Sequence, residues 1–301
     1  MNDIASPFNC KDSQGNLENN PELPVPENFD NPRAERKHRK KRLVSALKLF
    51  SHCGFDEGVA GHITVRDPME PESFWVNPFG IHFSEVKVSD LIRVTHEGKI
   101  VEGRNPVNEA AFAIHSRIHL AHPSINAACH AHSIYGKTWS TFGKKLDPLT
   151  QDSCAFFNHH EVFKKYSGLV LDSGEGDQIA EKLSNNKALI LQNHGLLTVG
   201  RYVESAAWWF ITMERTCQAQ LIAESVNDSK VKINDAAARK AFDIIETKKR
   251  DGLVFNRFYK KLLKTFQSLN NQKYYFLAGI LFSFLVAKWS CANNLAIRLW
   301  K

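Results

Sequence analysis

The sequence lacks the patterns that mark a secreted or repetitive protein. Its six cysteines form no C-x-x-C pair and no dense framework, a usage that fits free thiols in a reducing compartment. The N-terminal residues lack the basic start and apolar stretch of a secretory signal. No internal repeat is visible along the chain. These absences predict a cytoplasmic globular protein without structural disulfides.

A long apolar run is also missing. The longest, "YYFLAGILFSFLVA" at 274–287, is interrupted only by Ser283, and it falls short of the roughly 20 residues of a membrane span. Lys273 and Lys288 flank it and could extend its reach by snorkelling. A buried helix, a membrane-surface or tail-anchor segment, and a non-native tail from a misread gene boundary all stay open. The prediction is against a true transmembrane helix.

Positive charge is concentrated in local runs. The formal net charge is +7, and the densest basic run is "RAERKHRKKR" at 33–42. It could form a nuclear-import or anionic-surface patch, but the helical apolar spacing of the following "LVSALKLF" favours the solvated start of a helix. No nucleic-acid partner is predicted.

Composition divides the chain into three regions. Residues 1–32 are rich in Asn, Pro and acidic side chains and predict a disordered tail. Residues 33–250 carry helical and strand patterns, and the apolar fraction of the whole chain, 43%, is ample for a core. Residues 251–301 are an atypical segment, first basic and amphipathic, then hydrophobic. The fold class of the middle region is therefore α/β or α+β, with a sheet covered by helices.

Local patterns place several elements in the middle region. Helices are predicted over 33–52, ending at Gly54, over "NEAAFAIHSRIHLAH" before Pro123, and over 203–224. "DLIRVTHEGKIVEG" predicts a hairpin with its turn at Glu97 and Gly98. "INAACHAH" predicts a strand, and "KALILQNHGLLTVG" predicts two strands separated at a glycine.

The stretch "NAACHAHS", residues 126–133, places two histidines one residue apart. On a strand, His130 and His132 point to the same face and can reach one metal ion. His194, followed by Gly195, supplies a third imidazole, and three imidazoles with an open position are typical of a catalytic metal site. Glu109 begins the preceding helix, where the dipole favours a carboxylate. It is either the acid/base group or an ordinary first-turn residue.

Together, Glu109, His130, His132 and the "NHG" of His194 resemble the class II aldolase/adducin family. The resemblance covers about residues 38–230 and includes "GFDEGVAGHITVRDP" and "FWVNPFG" as the glycine-rich substrate loops. It implies a three-layer α/β/α sandwich around a largely antiparallel sheet, with tetramers whose active sites lie near subunit boundaries. It also implies that the three histidines bind a divalent metal, with Zn²⁺ first and Fe²⁺ or Mn²⁺ as alternatives. Glu109 would then move the proton of a metal-stabilised enediolate.

The proposed substrate loops depart from the sugar-phosphate aldolases of the family. The matching positions here are Gly61 and His62, Phe79 and Gly80, and Val107 and Asn108, and bulky or apolar groups replace hydroxyl donors at Phe79 and Val107. Because phosphate recognition needs donors or positive charge, an apolar or aromatic carbonyl acid is favoured. His62 is a polar substrate contact, an extra ligand, or a loop histidine bonded to backbone. The one-turn spacing of His115 and His119 allows either a second metal site or ordinary packing.

Three functions follow from the resemblance. The first is a metal-dependent lyase acting on a small hydroxy- or oxo-acid or a sugar-derived carbonyl compound. The second is an adducin-like protein that binds the actin cytoskeleton without catalysis. The third is a non-haem iron oxygenase on the same scaffold. The scaffold itself does not choose among them.

Overall fold

The computed structural model describes residues 28–168 and 173–245. Most of the predicted N-terminal tail, the C-terminal segment 251–301 and its apolar run 274–287 lie outside these residues. Within them, no helix is long and apolar enough to cross a membrane. The cysteines at 53, 129, 154 and 217 are free thiols, as the sequence predicts for them.

The described chain contains eight strands and six α-helices. The strands are β1 (His62–Arg66), β2 (Ser73–Val76), β3 (Ile92–Thr95), β4 (Ile100–Glu102), β5 (Ala127–Ala131), β6 (His160–Phe163), β7 (Ala188–Leu191) and β8 (Gly195–Gly200). The helices are α1 (Pro32–Cys53), α2 (Glu109–Ala121), α3 (Ile134–Ser140), α4 (Ser173–Leu183), α5 (Val203–Ser225) and α6 (Asp235–Ile245). A 3₁₀ helix spans Asp152–Phe156.

All eight strands form one sheet in the order β4-β3-β2-β1-β5-β8-β7-β6. Neighbouring strands are antiparallel except for β6 and β7, which are parallel. The predicted hairpin is β3 and β4, with Gly98 at φ +91° in its turn. The largely antiparallel sheet predicted from the resemblance is therefore confirmed.

Helices cover both faces of the sheet. Ala128 of β5 packs in one buried cluster with Ile114 of α2 and Ile179 of α4. Because strand side chains alternate between faces, residues of opposite parity point the other way. There the hydroxyl of Thr198 on β8 donates to the Ala206 carbonyl of α5, 2.8 Å away. Helices α1 and α3 pack against α5. The predicted three-layer α/β/α sandwich is confirmed.

Helix α1 begins and ends at the residues that its sequence indicates. Asn31 caps it by accepting the Arg33 N–H, and Gly54 ends it in the left-handed conformation at φ +76°. The basic run forms its first turns, as the helix interpretation predicts. Arg36 pairs with the buried Asp67 at 2.7 Å, and Arg42 pairs with Glu204 of α5. Two arginines of the basic run thus form ion pairs that hold α1 against the rest of the domain.

Candidate active site

Three histidines converge where β5 ends. His130 lies in β5, His132 lies one residue beyond the strand, and His194 lies in the turn between β7 and β8. One ring nitrogen from each comes within 4.8 Å of the other two. The ring centroids are 5.1 Å apart for His130 and His132, 4.7 Å for His130 and His194, and 4.8 Å for His132 and His194. These residues are the three-histidine cluster.

Strand pairing brings the third histidine to the first two. Strand β8 is antiparallel to β5, with Leu196 opposite Ala131, so the turn before β8 lies beside the end of β5. The turn depends on Asn193, whose φ is +57°. A Cβ on Gly195 would lie 2.9 Å from the Ala131 carbonyl oxygen, so Gly195 is needed for close approach. Gly195 thus allows β8 to lie close to β5. The left-handed backbone conformation in the turn is adopted by Asn193 instead.

A hydrogen bond to the backbone fixes the orientation of the His130 ring. Its Nδ1 lies 2.9 Å from the Leu196 carbonyl oxygen, and since a carbonyl only accepts, Nδ1 carries the proton and Nε2 keeps its lone pair. Burial, together with the charges of the neighbouring histidines, holds the pKa of His130 well below its usual 6.5. Burial and His132 lower the pKa of His194 to about 4. Neutral imidazoles with free lone pairs are the ligands that Zn²⁺ and related ions require.

No other metal-binding group appears in the described ranges. The three-histidine cluster is the one set there of three or more His, Cys, Asp or Glu whose ligand atoms come together. Within the described residues, His115 and His119 belong to no second set of this kind. Of the two alternatives for them, they follow ordinary packing in the core. Both are fully buried on the face of α2 that meets β1.

Glu109 is the first residue of α2, as predicted, and is exposed to solvent. The adjacent Asn108 caps the helix, because its Oδ1 accepts the Ala111 N–H at 3.2 Å. The Asn108 side chain also reaches the Val59 carbonyl at 3.5 Å, in the loop that leads to Gly61. Glu109 therefore begins the helix that this loop adjoins. Its catalytic role stays a prediction.

Gly61 and His62 lie directly beside β5, the strand that carries His130 of the three-histidine cluster. His62 pairs in register with His130, and the two rings are 5.0 Å apart. Gly61 has φ +102°, and a Cβ there would meet the His130 carbonyl oxygen at 3.2 Å. His62 begins β1 and is 2% exposed, so it is not a loop histidine. Neither of its ring nitrogens has a hydrogen-bond partner in the described structure.

The other predicted substrate residues occupy a separate loop. The Phe79 N–H donates to the Pro106 carbonyl at 2.9 Å, and the Phe79 side chain is 42% exposed. Gly80 has φ +81° with open space where a Cβ would stand. Val107 packs against a buried cluster that includes Phe74 and Val94. Val107 is thus a core contact and does not by itself make a pocket apolar, whereas the exposed Phe79 ring is available to a ligand.

Two features of the site are not predicted from the sequence. The first is a buried histidine layer behind the three-histidine cluster, formed by His62, His115 and His119. His115 lies 4.3 Å from His62 between ring centroids, and the Thr64 hydroxyl bonds both His115 Nδ1 (2.9 Å) and His119 Nε2 (2.8 Å). The one-turn spacing of His115 and His119 was the available signal, but only the facing strand shows what they bind.

The second feature is Glu214, which is 1% exposed on α5. It follows Phe210 by four residues and precedes Cys217 by three, and both of these are fully buried. A carboxylate within the buried stripe of a helix is unusual. This position was the signal that could have singled it out.

Comparisons with known proteins identify the family and the fold. Over 199 residues the chain is 46% identical to a 4-hydroxy-3-prenylphenylpyruvate oxygenase/4-hydroxy-3-prenylbenzoate synthase of Streptomyces roseochromogenus subsp. oscitans, covering 65% of this chain and 72% of that protein. It is 32% identical to Alpha-adducin of Rattus norvegicus, covering 60% of this chain but 25% of that one. The fold is similar to the structure of L-fuculose 1-phosphate aldolase from Glaciozyma antarctica PI12, with TM-score 0.73, 42% identity, and coverage of 79% and 93%. The profile of the Class II Aldolase and Adducin N-terminal domain matches residues 41–221, and the chain belongs to that family.

Proposed function

We propose that this chain is a metal-dependent enzyme of the class II aldolase type. It would cleave a carbon–carbon bond next to a carbonyl group in a small hydroxy- or oxo-acid or a sugar-derived carbonyl compound. The observation that carries the proposal is the convergence of His130, His132 and His194. Three neutral imidazoles that leave a coordination position open are typical of catalytic rather than structural metal sites.

Each residue of the site has a proposed role. A divalent ion held by the three histidines, with Zn²⁺ first and Fe²⁺ or Mn²⁺ as alternatives, would supply Lewis-acid stabilisation of negative charge on a substrate oxygen. Glu109 would take the proton from the substrate hydroxyl as the adjacent carbon–carbon bond breaks. The electron pair of that bond stays on the carbon next to the carbonyl, and Glu109 returns the proton there.

We further propose an apolar carbonyl acid rather than a sugar phosphate as the substrate. His62 is buried beside His130 with both ring nitrogens unbonded in the described structure, and we propose it as a polar contact only for a substrate oxygen that reaches the cluster at His130. Phe79 presents a partly exposed aromatic ring. Gly61, Gly80 and Asn108 are proposed to shape the loops around the substrate. The relative named for a prenylphenylpyruvate supports an aromatic 2-oxo acid.

Oxygenase chemistry is the second candidate. The relative at 46% identity is named an oxygenase, and a three-histidine set can hold Fe²⁺ as well as Zn²⁺. The two candidates differ in one requirement, because a lyase needs no O₂. The test loads the protein separately with Zn²⁺ and Fe²⁺ and follows products and oxygen uptake. It offers 4-hydroxy-4-phenyl-2-oxobutanoate and L-fuculose 1-phosphate, which both carry the hydroxyl that the cleavage step deprotonates, and 4-hydroxyphenylpyruvate, which lacks it, for the oxygenase. Product formation under argon supports the lyase. Substrate-dependent oxygen uptake by the Fe²⁺-loaded protein, but not by the Zn²⁺-loaded protein, supports the oxygenase.

Glu109→Gln tests the proton carrier. The amide keeps the size of the side chain but cannot accept the proton, so we expect kcat to fall about 10²–10⁴-fold while the bound metal stays. Glu181→Gln, which changes an exposed glutamate of α4, is the matched control and should keep wild-type kcat. A fully active Glu109→Gln enzyme would remove Glu109 from the mechanism.

The cytoskeletal alternative rests on similarity to adducin, a quarter of which aligns with this chain. It predicts co-sedimentation with filamentous actin that survives His130→Ala, because actin binding would not need the metal. The homotetramer and the cytoplasmic location also remain proposals. Sedimentation analysis of the purified protein tests the tetramer.

A further inference from the structure

The segment that carries His132 is held at its far side by a buried carboxylate. Strand β5 ends at Ala131 and α3 begins at Ile134, so His132 and Ser133 form the connection between them. Glu214 of α5 accepts the Ser133 hydroxyl at 2.6 Å. It also accepts the backbone N–H groups of Tyr135 at 2.9 Å and Gly136 at 2.7 Å. One carboxylate therefore satisfies three donors in the turn that follows His132.

Glu214 also lies close to the residue that orients His130. A Cβ on Gly136 would lie 2.5 Å from Leu196 Cγ and 2.8 Å from Glu214 Oε2, so only glycine lets α3 approach both so closely. Leu196 is the residue whose carbonyl orients the His130 ring. Glu214 is thus linked to both histidines of the H-x-H pair. It binds Ser133, the residue after His132, and it binds Gly136, which packs against the Leu196 that orients His130.

Burying this carboxylate is costly for the fold alone. Burial raises the pKa of Glu214, and the hydrogen bonds from Ser133, Tyr135 and Gly136 offset this only in part. Well-packed apolar residues often stabilise a core as well as, or better than, a buried ion. A carboxylate at this position is better explained by what it holds in place.

We propose that Glu214 is a positioning residue that fixes the backbone after His132 and thereby sets the metal affinity of the three-histidine cluster. This inference rests on the proposed function, because it assumes that the cluster binds metal. Partners that orient ligands in this indirect way typically change metal affinity about 10–100-fold when they are removed.

The test measures the Zn²⁺ dissociation constant by competition with a chromophoric chelator and records the visible spectrum of the Co²⁺-substituted protein. Glu214→Gln keeps the shape but places an amide NH₂ against donor groups. We expect its Zn²⁺ dissociation constant to rise about 10–100-fold and its Co²⁺ spectrum to change. Ser133→Ala removes one of the three bonds and should show a smaller rise.

Glu204→Gln is the matched control. Glu204 lies on the same helix and pairs with Arg42 of α1, so its loss should lower thermal stability but leave the Zn²⁺ dissociation constant and the Co²⁺ spectrum unchanged. Wild-type affinity and spectrum in both Glu214→Gln and Ser133→Ala would overturn the inference. If Glu214→Gln does not fold, Ser133→Ala decides alone. A wild-type chain that binds no Zn²⁺ would overturn the proposed function, and this inference with it.

Discussion

The domain contains two neighbouring sets of three histidines that differ in what their nitrogens meet. In the three-histidine cluster the lone pairs of His130, His132 and His194 converge, and the last two are partly exposed. In the buried histidine layer, His62, His115 and His119 are at most 2% exposed, and Thr64 bonds two of them. The two sets touch where His62 meets His130.

This difference indicates what would suit one group of histidines, and not the other, to hold a metal ion. Burial lowers the pKa in both sets and keeps the imidazoles neutral, so neutrality alone does not separate them. The cluster lies where strands end, which leaves one side open for an ion and a substrate. In the layer, a hydroxyl lies between His115 and His119 and uses one nitrogen of each. Convergence and access distinguish the two sets.

Substitutions in the two sets should differ most in their effect on the metal content of the protein. His194→Ala removes one of three ligands, and we expect bound metal to fall from about one ion per chain to background. His119→Leu removes an imidazole of the layer and should leave the metal in place. Elemental mass spectrometry on protein purified without chelator measures both. Metal retained in His194→Ala, or lost in a folded His119→Leu, would show that the comparison assigns the wrong histidines.

Thr64→Val tests the hydroxyl that joins the layer. Valine keeps the volume but leaves His115 Nδ1 and His119 Nε2 buried without the partner that they share, so the free energy of unfolding should fall by about 1–3 kcal/mol. Urea denaturation measures this change, and the metal content should stay at the wild-type level.

The double variant Thr64→Val with His119→Leu sharpens that result. Since it removes both polar partners of one bond, its loss of stability should be smaller than the sum of the two single losses. Strictly additive losses would mean that the Thr64 to His119 bond contributes nothing.

The sequence indicates the cluster better than it indicates the layer, for a physical reason. His130 and His132 lie one residue apart, a local spacing that strand alternation interprets directly. His194 requires the pairing of β5 with β8, so the sequence offers it only as a histidine at the end of an apolar strand before Gly195, and the resemblance then links it to the other two. The layer depends on which face of α2 meets β1, a contact between segments that are distant in the chain.

The same limit explains Glu214 and Gly195. The stripe on α5 shows that Glu214 is placed among apolar residues, but not that α3 supplies its three donors. Gly195 reads as a turn glycine, whereas the strand beside it leaves no room for a Cβ. In both cases local pattern gives the element and its buried side, and the partner comes from the tertiary fold.

The smallest expected effect is the pH dependence of the layer. Burial, and then the charge of Arg66, hold the pKa of His119 well below its usual 6.5 in the folded chain, while the unfolded chain titrates near 6.5. Below that pH the unfolded state binds a proton that the native state refuses. The free energy of unfolding should therefore decrease as the pH is lowered, by at most about 1.4 kcal/mol per pH unit for this residue.

The measurement is urea denaturation of metal-free protein between about pH 7 and pH 5, so that metal release adds nothing to the slope. His119→Leu should make the fall in this window shallower, but not abolish it, because burial also lowers the pKa of His115 and His130. Ile118→Val shortens the neighbouring, fully buried residue of α2 and costs about 0.5–1.5 kcal/mol without a titrating group, so its slope should match the wild type. An unchanged slope in His119→Leu would mean that His119 is protonated to the same extent in both states. We expect the buried layer to keep its histidines neutral through the fold alone. That result would therefore show that neutral imidazoles are not a feature that the layer shares with the three-histidine cluster.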